Sequence, residues 1–432
     1  MIEDKGTHTM QTETMKYQTS CADDVDSESI RVEEARQRIL SAITPISDFE
    51  KRALRDALGR VLAEDIISPL NVPAHTNSAM DGIAVSGDDL PSSEDRILEM
   101  IGTAYAGVPF KGECRTGQCV RIMTGAPMPK GTDTVIMQEH IEFLTDNKLR
   151  IGITHRPGQN VRQAGEDIGK DTEVLKAGRR MVPADMGVLA SLGIGEIYLH
   201  RRQRVAFFST GDELRSIGEP LGEGEIYDSN RYSLYGMLSH LGVEVLDLGV
   251  VHDEPDALRH AFQHASSMAD VVITTGGVSV GDADYIKPIL TELGEIGFWK
   301  IAMKPGRPLT FGKLDNALFF GLPGNPVAVM VTFYQFVQPA LHYLSSGEIK
   351  LPLTLKATAT SPLYNRPGRF EYQRGLLTQT ADGEFEVSKS GKQGSGILTS
   401  MSHANCFIFL PEDCASVQAG DTVMVQPFET FV

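Results

Sequence analysis

Cysteine is scarce in this chain, and the cysteines that are present form no recognisable pattern. The five stand at positions 21, 114, 119, 406 and 414, with no CxxC pair and no histidine at zinc-finger spacing. Neither a zinc site nor a disulfide framework is indicated. The eleven histidines form no HExxH motif, so none is assigned to catalysis. A reducing cytoplasm is the simplest setting for such a chain.

Positive charge and long apolar runs are also lacking. Forty basic residues against 57 acidic residues give a net charge of −17, which argues against sequence-independent binding of nucleic-acid phosphates. The most apolar stretch, PVAVMVTFYQFVQPALHYL, is interrupted by Gln335, Gln338 and Pro339. It is predicted to be a buried helix rather than a membrane span. We therefore expect neither nucleic acid nor membrane as a partner.

The length of 432 residues predicts several domains. Residues 1–28 are polar, lack the apolar segment of a signal peptide and are predicted to be a disordered tail. The remaining segments are predicted as 29–72 with 168–200, an extended linking domain; 73–167, a β-rich domain; 201–347, an α/β domain; and 348–432, a small β-barrel or sandwich. The predicted fold class is therefore multidomain α/β plus β.

Strands and helices alternate from Arg204 onward, which favours a doubly wound, largely parallel sheet with helices on both faces. One predicted strand runs into FFSTGDEL. There Ser209 and Thr210 can donate hydrogen bonds to ligand oxygens, Gly211 allows close approach of the backbone, and Asp212 or Glu213 could hold a divalent cation. The alternative, equally weighted, is that one of these carboxylates caps a helix.

A second turn of the same kind, TTGGVSVGDADY, follows the apolar strand DVVI and precedes a predicted helix. Gly276 and Gly277 leave room for a ligand on the backbone, Ser279 adds a hydroxyl group, and Asp282 and Asp284 add negative charge. Taken alone, this could be only a glycine-rich connection. Two such turns in one sheet should converge at the carboxyl edge of the strands, where open α/β sheets bind ligands.

Two further loops are assigned to that edge. KPGRP holds Lys304 and Arg307 between prolines that restrict where these cations can point. In FGLPGNPVAV, Asn325 is predicted at an N-cap and Pro326 at the first helical position, which leaves N–H groups free at the start of a helix. The rigid neighbours Pro305 and Pro323 complete the two loops.

The β-rich segment contributes carboxylates of its own. NSAMDGIAV carries Asp81 beside Gly82, although a type I turn would also explain it; RIMTGAPMP adds Thr124; and AGEDIGK adds the pair Glu166 and Asp167. These acids, set against the cations of the sheet, suggest a metal-bridged phosphate site assembled from separate domains or subunits.

The C-terminal segment offers cations that suit a tetrahedral oxyanion or a phosphate. RPGRFEYQRG carries Arg366, Arg369 and Arg374, and the glycine-rich GKQGSG carries Lys392 and Ser395. Guanidinium groups present their donors as a planar fork that matches such ligands. A solvated hairpin face is the competing explanation.

The motifs SAMDGIAV, MTGAP, GEDI, STGDEL, TTGGVSVGDADY, KPGRP and LPGNP, in this order, resemble the molybdopterin molybdenumtransferase (MoeA) family, which is related to the E domain of gephyrin. The resemblance covers the chain from about Ser29 to Val432. It implies a MogA-like sheet domain, a C-terminal β-barrel and an elongated cytoplasmic homodimer. Its cleft would combine the sheet domain of one subunit with the SAMDG-bearing domain of the other.

The resemblance also implies the last step of molybdenum-cofactor synthesis. Adenylyl-molybdopterin would be hydrolysed with Mg²⁺, AMP would leave, and molybdate would enter the dithiolene. Transient contacts with the adenylyltransferase and with molybdoenzymes are expected. The residues carried over as catalytic are Asp81, Thr124, Asp167, Glu213, Asp253, Asp284 and Lys304, with Glu213 and Asp284 on Mg²⁺; those carried over to phosphate and molybdate are Lys300, Lys304, Arg374 and Ser395. Ser209, Thr210, Gly276, Gly277, Ser279, Pro305, Arg307, Pro323, Asn325 and Arg369 are predicted to bind substrate.

The chain departs from the family pattern around NSAMDG. Relatives commonly carry an aromatic residue and an aspartate before this motif and a tyrosine after it, where this chain has His75, Thr76 and Ile83. The departure removes any carboxylate role at position 76 and leaves Asp81 untouched. Two other functions remain alternatives, a partner-binding scaffold and a hydrolase of another pyrophosphate-containing nucleotide.

Overall fold

The computed structural model describes residues 29–276 and 285–428. The chain divides into two compact units. One, the sheet-and-barrel unit, comprises Met1–Thr44, Gln203–Leu344 and Ile349–Val432; the other, the β-rich unit, comprises Pro45–Arg202 and Ser345–Glu348. The finer division of the chain into four domains stays a prediction.

The helices of the described residues are α1 Val32–Ser41, α2 Pro183–Ser191, α3 Ser229–His240, α4 Pro255–Met268, α5 Ile286–Leu293, α6 Pro326–Thr332, α7 Gln338–Ser346 and α8 Thr399–Ser402. A π-helical segment, Phe333–Val337, joins α6 to α7. The buried helix predicted for the most apolar stretch is thus confirmed, with this change of pitch in its middle. Among the helices described, none is both long and apolar enough to cross a bilayer.

Twelve strands belong to the β-rich unit: β1 Phe49–Ala53, β2 Ile66–Ile67, β3 Asn77–Ser78, β4 Gly82–Val85, β5 Arg96–Ala104, β6 Gln118–Ile122, β7 Thr134–Met137, β8 Ile141–Phe143, β9 Lys148–Ile151, β10 Val161–Arg162, β11 Glu173–Leu175 and β12 Glu196–His200. Six of them form a sheet in the order β7-β4-β6-β5-β9-β8. Side chains of a strand alternate between the two faces. Accordingly Ile83 packs into a core on one face and Ala84 into a core on the other.

The sheet of the other unit is built from β13 Arg204–Thr210, β16 Glu244–Val251, β17 Val271–Thr275, β18 Gly294–Lys300, β20 Pro308–Leu314 and β21 Ala317–Leu322, while β14 Leu214–Arg215, β15 Ile226–Tyr227 and β19 Met303–Lys304 lie outside it. Its order is β16-β13-β17-β21-β20-β18. The first four strands are parallel, as predicted. The strand β20 runs antiparallel to both of its neighbours, β21 and β18. A tight hairpin joins β20 to β21, and such a turn can only reverse the chain.

The centre of this unit is an aromatic core beneath the parallel strands. Phe262 of α4 lies between Phe208 and Phe319, with ring centroids 5.2 and 5.7 Å apart in edge-on arrangements. All three rings are fully buried. Rings packed in this way add stabilisation beyond the area they bury, so the sheet offers a rigid base for the loops at its carboxyl edge.

The C-terminal strands are β22 Leu355–Ala359, β23 Leu363–Tyr364, β24 Phe370–Gln379, β25 Phe385–Lys389, β26 Cys406–Leu410, β27 Ser416–Val417 and β28 Thr422–Pro427. Five of them run in the order β24-β25-β22-β28-β26, and β26 pairs back with β24. This pairing closes the ring, so of the two predicted forms the structure is the barrel. The strand β19 pairs with β24 in parallel and attaches the barrel to the sheet.

The β-rich unit contains a partly exposed charge cluster whose contribution to stability depends on pH. Glu50 accepts hydrogen bonds from Arg52 at 2.6 Å and from Arg60 at 2.8 Å. These two guanidinium groups, Arg52 first, lower the pKa of Glu50 from 4.5 to about 2. A depressed carboxyl pKa stabilises the folded state above the unfolded pKa, and this stabilisation is lost as the pH falls towards the folded value.

Replacing Glu50 by glutamine is therefore expected to cost about 1 kcal/mol in the free energy of unfolding at pH 7, since one of the two partners is half-exposed. The difference in the free energy of unfolding between this variant and wild type should stay constant down to a pH of about 4.5 and become smaller below it. Urea denaturation followed by circular dichroism measures this. The matched control is Glu196→Gln, which removes an exposed ion pair with Lys51. A pH-independent difference would contradict the assignment.

Candidate active site

The loops at the carboxyl edge of the parallel strands line one cavity of about 530 Å³, together with residues of the barrel. We call it the sheet-edge cavity. Its lining contains the predicted site residues Thr210, Glu213, Asp253, Gly276, Lys304, Pro305, Arg307, Pro323, Asn325, Arg369 and Ser395. The predicted convergence of the two strand-to-loop turns is thereby confirmed for the part of each turn that the structure describes.

The ends of β13 and β17 contribute a hydroxyl group and a bare stretch of backbone. Gly276 has a φ of +87°, and a Cβ at this position would lie 2.5 Å from the carbonyl oxygen of Thr210. Only glycine fits there. The hydroxyl group of Thr210 is buried and has no hydrogen-bond partner among the described residues. An unsatisfied buried hydroxyl group is costly, which favours a ligand or water at this point of the cavity.

Ser209, predicted beside Thr210 as a ligand contact, lies behind the cavity. It is fully buried and accepts a hydrogen bond from the hydroxyl group of Thr275 at 3.0 Å. Successive residues of a strand point to opposite faces, so only one of the two neighbouring hydroxyl groups can face a ligand. The pair Ser209 and Thr275 joins β13 to β17 below the site.

The acidic wall of the cavity consists of Glu213 and Asp253. The neighbouring Asp212 connects the two loops instead. Its carboxylate accepts a hydrogen bond from the backbone N–H of Asp253 at 3.3 Å. The alternative that Asp212 or Glu213 caps a helix is wrong, because the strand β14 follows them. Within residues 29–276 and 285–428, no group of three or more metal-binding side chains stands ready to hold an ion.

The same cavity lining carries the cations of the KPGRP loop. Lys304 and Arg307 both line the cavity, and Lys304 is half-exposed. Gly306 between them has a φ of +96°, and a Cβ there would lie 2.6 Å from the hydroxyl group of Thr332 in α6. The loop is therefore pressed against α6, and this contact directs its two cations towards the cavity.

The start of α6 differs from the prediction. Asn325 precedes the helix and Pro326 is its first residue, as predicted. The helix N-terminus is not left open, however, because the backbone N–H of Val327 donates to the carbonyl oxygen of Ser395 at 3.0 Å. The glycine-rich loop of the barrel thus occupies a donor that we expected to serve a ligand, and the same bond holds Ser395 at the cavity.

Arg374, predicted to contact phosphate or molybdate, does not line the cavity. Its side chain is 1% exposed and lies under the glycine-rich loop. It donates hydrogen bonds to the hydroxyl group of Ser400 and to the carbonyl oxygen of Gly394, each at 3.1 Å. Burial lowers the pKa of this guanidinium group to about 10. The structure gives Arg374 the position of a support for the loop that carries Gln393, Gly394 and Ser395.

Several other predicted residues lie away from the cavity. Lys300 ends β18 with an exposed side chain, and its backbone carbonyl accepts a hydrogen bond from Ile30. Arg366 is exposed outside the lining. Four predicted residues of the second turn, Gly277, Ser279, Asp282 and Asp284, fall outside the residues that the structure describes.

Asp81, Thr124 and Asp167 belong to the β-rich unit. Asp81 accepts two hydrogen bonds from Thr124, from its backbone N–H at 2.7 Å and from its hydroxyl group at 2.8 Å. These bonds, the backbone one first, lower the pKa of Asp81. A Cβ added at the neighbouring Gly82 would lie 1.9 Å from the carbonyl oxygen of Ile136, so close strand pairing requires glycine there. Asp167 has an exposed carboxylate.

The sequence analysis missed Glu371 and the contribution of Gln393. Glu371 is 4% exposed on β24 and lies beside Lys304. The three arginines in RPGRFEYQRG make the positive charge of this segment its most visible feature. The burial of the one acidic residue in the segment, Glu371, depends on the pairing of β19 with β24 and could not be predicted from the segment itself. Gln393 lines the cavity within the GKQGSG loop, and its amide group exchanges two hydrogen bonds with the backbone of Arg374.

The position of Arg374 predicts how its loss would act. In Arg374→Gln the loop 391–396 should lose its support, and its backbone amides should exchange with solvent about tenfold faster or more. Hydrogen exchange followed by mass spectrometry measures this. Lys389→Gln, which alters an exposed cation two residues before the loop, serves as the control. Unchanged exchange in Arg374→Gln, together with weaker anion binding, would instead support a direct contact.

Comparison with known families covers almost the whole described chain. Residues 30–193 match the model of the MoeA N-terminal region (domains I and II), residues 206–343 match the probable molybdopterin binding domain, and residues 356–428 match the MoeA C-terminal region (domain IV). The chain is 44% identical over 400 residues to a molybdopterin molybdenumtransferase of Haemophilus influenzae, an alignment that covers 92% of this chain and 98% of that protein.

Two further relatives support the same assignment. A molybdopterin molybdenumtransferase of Bacillus subtilis is 35% identical over 89% of this chain and 92% of its own length. The crystal structure of the molybdopterin biosynthesis protein MoeA from Pyrococcus horikoshii superimposes with a TM-score of 0.81 at 30% identity, covering 93% of this chain and all of that one. With three family models in order along one chain and relatives matched end to end, this chain belongs to the molybdopterin molybdenumtransferase (MoeA) family.

Proposed function

We propose that the protein hydrolyses adenylyl-molybdopterin with the help of Mg²⁺, releases AMP and inserts molybdate into the dithiolene. The observation that carries this proposal is the arrangement of charge in the sheet-edge cavity. Cations from the KPGRP loop and from Arg369 line the same cavity as the carboxylates Glu213 and Asp253. The cations suit a pyrophosphate and a tetrahedral oxyanion, whereas two carboxylates beside such a ligand call for a divalent cation between them.

The residues present fit a magnesium ion. Mg²⁺ is usually held by one or two carboxylates together with phosphate oxygens of the substrate and water, and Glu213 and Asp253 supply such a pair. The bound ion would neutralise negative charge that develops on the pyrophosphate. Asp284, the other metal contact expected from the resemblance, stays a prediction because it lies outside the described residues.

The remaining lining residues would bind and orient the two substrates. Lys304 and Arg307, which line the cavity, would hold the pyrophosphate. The hydroxyl group of Thr210, which has no partner among the described residues, can donate to one of its oxygens. Arg369 and Ser395, on the barrel side, are proposed to hold molybdate together with Lys304. Fixed donors of this kind stabilise charge in the transition state without having to reorganise, so no covalent nucleophile is required.

We also propose that the active form is a homodimer in which Asp81 and Thr124 of one protomer serve the cavity of the other. This follows from the family resemblance. The hydrogen bonds from Thr124 favour the ionised form of Asp81 and fix its direction, as such a role would require. Asp167 and Lys300 stay predicted site residues, and transient contacts with the adenylyltransferase and with molybdoenzymes belong to the same proposal.

The direct experiment is AMP release from adenylyl-molybdopterin by the purified protein, with and without molybdate and Mg²⁺. Release should require both, and the product should activate an apo-molybdoenzyme. Release from plain dinucleotides at a similar rate would favour a general pyrophosphate hydrolase. No release from a folded protein would contradict the proposal and favour a binding role.

Glu213→Gln tests the acidic wall. Loss of this carboxylate is expected to lower kcat for AMP release on the order of 100-fold, the scale seen when one charged or polar group that stabilises the transition state is removed. The effect should shrink when the Mg²⁺ concentration is raised. Glu223→Gln, in the same segment but outside the cavity lining, is the matched control. Equal activity of the two variants would remove Glu213 from the site.

A further inference from the structure

Lys304 has a partner that the sequence analysis did not identify. The strand β19 pairs in parallel with β24, and Lys304 stands opposite Glu371. The ammonium group of Lys304 lies 3.4 Å from each of the two carboxylate oxygens of Glu371. The same pairing that attaches the barrel to the sheet therefore brings a carboxylate to the edge of the cavity.

The two members of this pair differ sharply in burial. The side chain of Glu371 is 5% exposed, and that of Lys304 is 50% exposed. A buried carboxylate is stable only when it is paired and hydrogen-bonded. Glu371 accepts a hydrogen bond from the side-chain amide of Gln373 at 3.2 Å in addition to its contact with Lys304. Gln373 is in turn fixed by a hydrogen bond to the carbonyl oxygen of Tyr364 at 2.9 Å.

The contact with Glu371 restricts the orientation of the Lys304 ammonium group from one side only. A lysine side chain has four rotatable bonds and a strongly hydrated head group, so at a half-exposed position it would otherwise sample many orientations. Glu371 is rigid, because it is buried and held by Gln373. The ammonium group has three donors, and those not directed at Glu371 remain available to the cavity.

We propose that Glu371 is a positioning residue that fixes the ammonium group of Lys304 at the wall of the sheet-edge cavity, so that it donates to the phosphate or tetrahedral oxyanion bound there. The inference rests on the proposed function for the identity of the ligand. It does not depend on that function for the pairing itself. Glu371 does not line the cavity, so it acts through Lys304.

Removing the charge of Glu371 would have two opposing effects. An anion in the cavity would be repelled less, which favours binding in the ground state. Lys304 would also lose its fixed direction, which costs catalysis, because small displacements of a group that acts in the transition state can lower the rate by one or two orders of magnitude. The turnover number and the chemical reactivity of Lys304 therefore test the positioning role of Glu371, whereas the affinity for an anion alone does not.

The test compares Glu371→Gln, Lys304→Met and the double variant in AMP release. Glu371→Gln should lower kcat about tenfold to a hundredfold, with little or no rise in KM. It should cause no further loss in the Lys304→Met background, because a residue that acts through another has no effect once the other is gone. Equal losses in the two backgrounds would show a merely structural role and overturn the proposal.

A second measurement is independent of turnover. The rate at which Lys304 is acylated by a lysine-specific reagent can be followed by peptide mass spectrometry. The carboxylate of Glu371 lies against the nitrogen of Lys304 and hinders the approach of the reagent, so Glu371→Gln should speed acylation severalfold. Inorganic pyrophosphate should protect Lys304 from acylation in wild type. Unchanged reactivity of Lys304, or no protection of the wild type, would overturn the positioning role.

The control is Asp89→Asn. Asp89 is another buried carboxylate with an arginine partner, Arg96, and it lies in the β-rich unit. Its loss tests whether neutralising any buried ion-paired acid gives the same result, and it should leave Lys304 reactivity unchanged. If the wild type released no AMP while Lys304 reactivity and protection behaved as expected, the proposed function would fail and the positioning of Lys304 would stand.

Discussion

The parallel pairing of β19 with β24 is the interaction on which the sheet-edge cavity depends. It joins only Met303 and Lys304 to Phe370 and Glu371, yet it fixes the barrel against the loops of the sheet. On one side of it the KPGRP loop presents Lys304 and Arg307 to the cavity. On the other side β24 leads to Arg374, which supports the glycine-rich loop. One short contact thus brings the KPGRP loop of the sheet and the glycine-rich loop of the barrel to the same cavity.

A second contact between the sheet and the barrel holds the glycine-rich loop in place. The glycine-rich loop is held from below by Arg374 and from the front by the N–H of Val327, which donates to Ser395. Each of these bonds uses a backbone group of the loop, so the side chain of Ser395 is left to face the cavity. The barrel and the sheet have separate cores, yet they contribute hydrogen-bond donors to the same cavity. A substrate with several anionic groups requires such a set of fixed donors.

The chain as a whole is acidic, with a net charge of −17, although its proposed substrates are anions. Distributed charge could not attract them, so binding must depend on a few cations placed at short range. Lys304, Arg307 and Arg369 are such cations. Under the proposed function, the carboxylates Glu213 and Asp253 in the same lining would make occupation of the cavity by phosphate dependent on a divalent cation.

Much of this site could be predicted from the sequence, because the carboxyl ends of parallel strands meet at one edge. Thr210, Glu213 and Gly276 were predicted at that edge on this ground alone, and they line one cavity there. What could not be predicted depends on contacts between distant segments. The burial of Arg374 and Glu371 follows from barrel closure and from the pairing with β19, and no local pattern in RFEYQRG distinguishes a buried arginine from one that faces a ligand.

The start of α6 also depends on a contact with a distant segment. Asn325 and Pro326 are local features, and their positions were predicted correctly. Whether the N–H of Val327 is free depends on a loop about seventy residues further along the chain, and sequence patterns near the helix carry no information about that contact. The antiparallel edge of the sheet likewise follows from a tight turn between two strands whose apolar character alone gives no direction.

The central claim is that cations from the sheet and from the barrel bind one oxyanion together in the sheet-edge cavity. The most direct measurement is a crystal structure of the protein with molybdate, located by its anomalous scattering. The account predicts a peak in the cavity within hydrogen-bond distance of Lys304 and of Ser395 or Arg369. A peak elsewhere, or a cavity without molybdate at saturating concentration, would contradict it.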